Sequence, residues 1–171
     1  AAATTTVTAG DNIKVTPSDN PNGSKNYEVS LKDQVTLGSD PKKQIAIDGN
    51  AGTIKAGDKV EIDGDKGTIK VGKDGQDGVS ITGPDAANGT DGKVGVTGKD
   101  GKDAVSMSGK DGVGHIGLNG KDGRSADISV EKGDPDIEGN EITRIKYQDE
   151  NGKTHQVATK DDGMKYGGDS L

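Results

Sequence analysis

A chain of 171 residues is long enough for one or two ordinary domains, but its side chains are poorly suited to a self-contained globule. Val, Ile and Leu number 13, 12 and 4, Phe and Trp are absent and Tyr occurs three times, so the aromatic bulk that anchors most monomeric cores is missing. A net charge of −7 with a pI near 4.8 argues against nucleic acid as a partner, and the absence of Cys excludes disulfides, thiolate metal sites and thiol nucleophiles.

Residues 1–43 form the first expected module. Apolar and polar residues alternate at Ile13 and Val15, at Tyr27, Val29 and Leu31, and at Val35 and Leu37, which is the period of strands. Pro17 to Ser24, reading PSDNPNGS, is dense in turn formers and is expected to reverse the chain between the first two.

Residues 44–78 carry a repeat of fifteen. IAIDGNAGTIKAGDK (Ile45 to Lys59) aligns without a gap on VEIDGDKGTIKVGKD (Val60 to Asp74), glycines included at 49/64, 52/67 and 57/72. Each copy is expected to hold two short strands, each followed by a turn.

Residues 79–133 shift to a repeat of eleven. Val94/Val105/Ile116 and Val96/Met107/Leu118 recur as i, i+2 pairs, each followed by Gly-Lys-Asp-Gly at 98–101, 109–112 and 120–123. GKDG reads as a corner, with glycines supplying positive φ and Lys and Asp keeping the edge wet. Glycine recurs too often for helices, and no apolar stripe has a 3.6-residue period.

Residues 134–171 read as a hairpin module. Ile142, Ile145 and Tyr147 lead to Asn151-Gly152 as a tight turn, and a returning strand runs through His155 to Ala158.

The expected fold is therefore all-β. A strand with two inward aliphatic side chains cannot bury itself, and repeats of this length imply stacked coils completed by neighbours. Disorder is the alternative, and the composition opposes it: 25 of the 29 aliphatic residues are β-branched Val or Ile, set at fixed intervals. One chain has too little apolar surface for a closed column, so identical chains sharing an axis are expected to supply the rest.

These motifs resemble a known family. The fifteen-residue IAIDGNAGTIKAG coils, the GKDG repeats and the closing ITRIKYQDENGKTHQVATKDDGMKYGGDS look like head and connector modules of trimeric autotransporter adhesins of the fusobacterial type. The opening module is similar to that family's Trp-ring module, here without Trp, and the tail to its GIN module, with Tyr166-Gly167-Gly168 in place of Phe-Gly-Gly. The resemblance implies an elongated homotrimer, a β-roll or β-prism, on the bacterial outer membrane. It also implies attachment to a host receptor, of the CEACAM type in a fusobacterial subset, or to extracellular matrix. A trimeric phage tail fibre is the alternative. No apolar run reaches membrane-spanning length and no secretion signal opens this stretch, so membrane contact is expected only through an anchor outside it.

No enzymatic chemistry and no cofactor are expected. His115 and His155 lie in no nucleophile motif, and the DGNAG and DGDKG turns place glycine at the fifth position, where a calcium loop needs an oxygen ligand. Receptor contacts are expected where the repeat departs from its pattern. Val113 stands where the flanking copies have Lys102 and Arg124, next to His115, and Pro84, Asp85, Ala86, Ala87 and Asn88 form a loop longer than a minimal corner.

Overall fold

The computed structural model describes residues 4–72, 78–97 and 102–163. The first GKDG corner (98–101) and the Tyr166-Gly167-Gly168 motif lie outside the described residues. The chain divides into two compact units, Ala1–Ile69 and Lys70–Leu171. Both are all-β and antiparallel, and the described helical turns are three-residue 3-10 segments.

In the first unit, β1 (Ile13–Asp19) pairs with β2 (Lys25–Leu31) as a separate hairpin. The strand runs on through Pro17, Ser18 and Asp19, so the reversal is shorter than the turn-forming stretch. A hairpin has two free edges, and Pro17 is tolerated because its missing N–H falls on an edge strand. The fifteen-residue repeat begins after β3 (Gln34–Leu37) and supplies β4 (Ile45–Asp48), β5 (Thr53–Ala56) and β6 (Val60–Asp63), each paired with its predecessor. Its last strand, β7 (Thr68–Val71), spans the unit boundary.

The repeat works through its turns. Asp48 Oδ1 accepts the amides of Asn50 and Ala51 at 3.0 Å each, and Asp63 Oδ1 accepts that of Lys66 at 2.9 Å. The carboxylates in the calcium-like spacing thus hold their own backbone. Gly57 turns at φ 60° with its amide 2.8 Å from Gln44 O, and a Cβ there would collide with Lys42 O.

The second unit is a meander of β8 (Gly78–Thr82), β9 (Gly92–Thr97), β10 (Asp103–Lys110), β11 (Val113–Asn119), β12 (Ser125–Lys132), β13 (Thr143–Asp149) and β14 (Thr154–Gln156). One strand corresponds to each eleven residues, so successive repeats reverse direction within the sheet. The β10–β11 corner is a two-residue loop with Asp111 at φ 51° and Gly112 at φ 78°, flanked by the Lys110–Val113 pair, which is the hairpin geometry that matches strand twist. In both described corners Asp and the second glycine take positive φ. The first glycine does not: Gly109 belongs to β10 and Gly120 has φ −93°. The tail forms the expected hairpin with a wider loop, Asp149 N donating to Lys153 O at 2.9 Å, and a strand ending at Gln156.

Each sheet has one aliphatic face. Cross-strand register aligns Val35, Ile47, Ile54 and Ile62 in the first unit, with Leu37, Ile45, Ala56 and Val60 beside them. In the second, Ile81, Val94, Met107, Ile116 and Ile128 form one row and Val79, Val96, Val105, Leu118 and Ala126 the other. Among the described residues no hydrophobic side chain is buried, and Met107 is 55% exposed.

Among the described residues the fully buried side chains are Arg144 and Asp162, an ion pair. Arg144 forks onto Asp162, Nη2 donating to Oδ1 at 2.7 Å and Nη1 to Oδ2, while Nε donates to Asp134 O at 2.9 Å. Asp162 Oδ2 also accepts the Thr159 amide at 2.9 Å and its hydroxyl at 3.0 Å. Gly133 lies against the Arg144 stem, where a Cβ would not fit. This clasp ties the segment after β14 to β13.

Two stability predictions follow from these contacts. Replacing Gly57 with Ala forces a left-handed residue and a backbone clash, and is expected to lower unfolding free energy by about 1–2 kcal/mol or more in a denaturant titration. Arg144, first through its side-chain hydrogen bonds, and then the Thr159 amide hold the Asp162 carboxyl far below the usual carboxylate range. Its folded pKa is depressed, so its stabilisation is full above the unfolded value near 3.9 and fades as pH falls below it. Asp162→Asn should lower the melting temperature at pH 7 and flatten the acid limb of the melting profile.

Candidate functional site

The face of the second unit opposite the aliphatic rows is polar. Ser80, Gly95, Ser106, Gly117 and Asp127 align across β8 to β12, with Thr82, Lys93, Ser108 and His115 in the adjoining row. Gly117 admits Ser106 Oγ into the space a Cβ would occupy. His115 Nδ1 lies 2.9 Å from Asp127 Oδ1 and 3.1 Å from Oδ2, so the carboxylate orients the ring from the neighbouring strand. A shallow groove of 380 Å³ runs past Lys93, Ser108, Lys110, His115 and Asp127.

Val113 opens β11 on this polar face, opposite Lys110, and is 44% exposed. It is an aliphatic side chain on the wrong side of the sheet for burial with its neighbours. Its counterparts in the flanking repeats fall elsewhere. Because each repeat reverses the chain, Lys102 and Arg124 lie at the other strand end, where Arg124 Nη1 donates to Glu150 Oε1 at 2.7 Å.

The Pro84–Asn88 loop joins β8 to β9 at the same strand end as Val113, as the Gly92–Gly109 and Lys110–Val113 pairs establish. It is a closed knuckle. Asp85 N donates to Thr90 O at 2.9 Å and Thr90 N to Asp85 O at 2.8 Å, bracketing a 3-10 turn at Ala86–Asn88. Asp85 Oδ1 accepts the amides of Ala87 at 3.0 Å and Asn88 at 3.3 Å, and Oδ2 accepts Asn88 Nδ2 at 2.7 Å. Asn88, through its side chain and then its amide, holds the Asp85 carboxyl below the usual range. With these polar groups occupied internally, the knuckle presents Pro84, Ala86 and Ala87 to solvent.

A third loop, between β12 and β13, reaches the same end and was not singled out from sequence. Asp136 Oδ1 accepts the amides of Glu138 at 2.9 Å and Asn140 at 2.8 Å, and Ile137 is left 49% exposed. The Asp-Ile-Glu-Gly-Asn turn was its signal. His155 is not part of this group: it pairs with Tyr147 on the opposite face.

The arrangement suits recognition through exposed small apolar side chains on stiff turns, beside a polar groove. No model of a known family, no curated protein and no solved structure matches this chain.

Asp85 is the keystone of the knuckle. Asp85→Ala should accelerate amide exchange at Ala87, Asn88 and Thr90 roughly fivefold to tenfold, as loss of a turn-capping side chain does. Exchange at β10 and β11 amides should be unchanged.

Proposed function

We propose that this chain is the protomer of a fibrous β homotrimer, a β-prism or β-roll, that works as an adhesin head on a bacterial surface. The observation that carries this reading is the exposed aliphatic face. From β8 to β12 it extends about 19 Å at 4.8 Å per strand, two side chains wide, on a sheet with no aliphatic core of its own among the described residues. Monomeric soluble proteins rarely leave apolar patches of more than a few hundred Å² open. Copies of the same face around one axis would cover it with chemically matched surface. Three copies, and the surface location, come from the resemblance of the repeats and tail to trimeric autotransporter adhesins.

In such an assembly the polar face and strand ends remain outside. The receptor site is then the edge carrying Pro84, Asp85, Ala86, Ala87, Asn88, Val113 and His115. The partner is a host surface protein, with the CEACAM type favoured by the resemblance and matrix the other candidate. Nothing in this role requires a cofactor or covalent chemistry.

Light scattering should give a mass about three times 17.4 kDa. Met107→Asp, placing charge in the aliphatic row, should give monomers. A cooperatively melting wild-type particle of 17.4 kDa would end the proposal, and twice that mass would replace the prism with a two-sheet sandwich. For the site, Val113→Asp and deletion of 86–88 should each weaken binding to immobilised CEACAM ectodomains at least about tenfold, the loss of one anchoring contact, without changing the mass. Equal binding by these variants would move the site elsewhere on the trimer.

A further inference from the structure

The aliphatic rows of the second unit change character at one end. Ile81, Val94, Met107, Ile116 and Ile128 continue in register into Tyr147 and His155, and the parallel row ending at Ala126 continues into Asp149. His155 Nε2 lies 2.7 Å from Asp149 Oδ2. The Tyr147 and His155 rings stack with centroids 4.9 Å apart. Asp149 Oδ1 is held by the amides of Asn151 and Lys153 at 3.0 Å each. A fixed polar group therefore stands on a face that is otherwise aliphatic from β8 to β12.

We infer that the His155–Asp149 pair, braced by Tyr147, is the polar register pin of the face through which copies of this chain associate, and that its burial there draws a proton onto His155. The inference rests on the assembly proposed above. Copies aligned in register bring pin against pin. Copies slipped along the sheet or reversed set Asp149 and His155 against Val79, Ile81 or Met107, where polar groups lose water and gain no partner. One polar position in an apolar seam fixes alignment in this way.

Charge gives the pin its second property. With His155 neutral, each copy carries an unneutralised carboxylate into the interface, and like charges from several copies meet. With His155 protonated, each pair is neutral overall. The charge-balanced pair is thus favoured in the interface, so the stability it adds is present at the lower pH and is lost as pH rises. Few other charges intervene. β12 presents Ala126 and Ile128 to this face, while Lys146 and Gln148 of β13 lie on the other, Lys146 Nζ being 2.7 Å from Glu131 Oε1. Lys153 contributes its backbone amide. The hydrogen bond from His155, ahead of those from the turn amides, already holds the Asp149 carboxyl below its usual range.

The test is urea-induced dissociation followed by sedimentation, with the intact chain at pH 8.0 and 6.0 and with His155→Gln, which keeps a hydrogen-bonding group but cannot titrate. The wild-type assembly should tighten at least about tenfold at the lower pH. His155→Gln should associate with no such dependence. His155→Val, which leaves Asp149 Oδ2 without its imidazole partner, should associate more weakly at both pH values, its circular dichroism confirming that the strands remain. A wild-type trimer whose dissociation ignores pH, or variants indistinguishable from it, overturns the pin and leaves the trimer standing. A wild-type chain that sediments as a monomer at both pH values overturns the assembly and the pin together.

Discussion

The one-sidedness of its sheets is the constraint on which everything else in this chain depends. Strand alternation sends every second residue to one face, and cross-strand register then collects Val, Ile and Met into rows two side chains wide. No element among the described residues lies over those rows closely enough to bury an aliphatic side chain. What holds the fold locally is the backbone ladder, carboxylates that cap their own turns, and the Arg144–Asp162 clasp. Ladders and turns set geometry but barely offset the entropy of ordering a chain, and small sheets without a packed face are marginal. In the assembly proposed above, copies of the same face would supply the missing cohesion.

That division of labour gives meaning to the residues that break it. Val113 is aliphatic on the polar face, and His155 and Asp149 are polar on the aliphatic face. Each departs from a pattern that its neighbours keep over several strands, and such local inconsistencies mark function more often than error. The two departures lie on opposite faces, Val113 on the polar one and His155 on the aliphatic one.

Strands and turns were legible because the residue types that make them are unambiguous. Asp-Gly and Asn-Gly at fixed spacing, β-branched pairs at i and i+2, and glycine too frequent for helix left little choice for the fifteen- and eleven-residue repeats. The role of the first glycine in GKDG was misread, because a backbone position inside β10 and one taking positive φ look alike in sequence, while Asp111 and Asp122 tolerate the left-handed region themselves. Pro17 looked like a turn and belongs to a strand, since an edge position forgives its missing amide. Harder still were contacts across the chain: Arg144 with Asp162, His115 with Asp127, and the shared strand end of Val113, the knuckle and Ile137. These depend on which way each strand runs, and a repeat does not state that.

Direction is what makes a repetitive sequence produce a non-repetitive surface. A repeat that holds one strand reverses the chain at every copy, so the same GKDG corner is laid down alternately at the two strand ends. Lys102 and Arg124 fall at one end, where Arg124 meets Glu150, and Val113 at the other, between the Asp85 knuckle and the Asp136 turn. A repeat that holds two strands, as the fifteen-residue unit does, returns equivalent turns to the same end and gives matched edges. The eleven-residue period thus spreads one corner motif over both strand ends, whereas the fifteen-residue unit keeps each turn type to one end. A single substitution at the middle corner then alters one edge alone, which is how one valine can act as an isolated landmark in a chain built from copies.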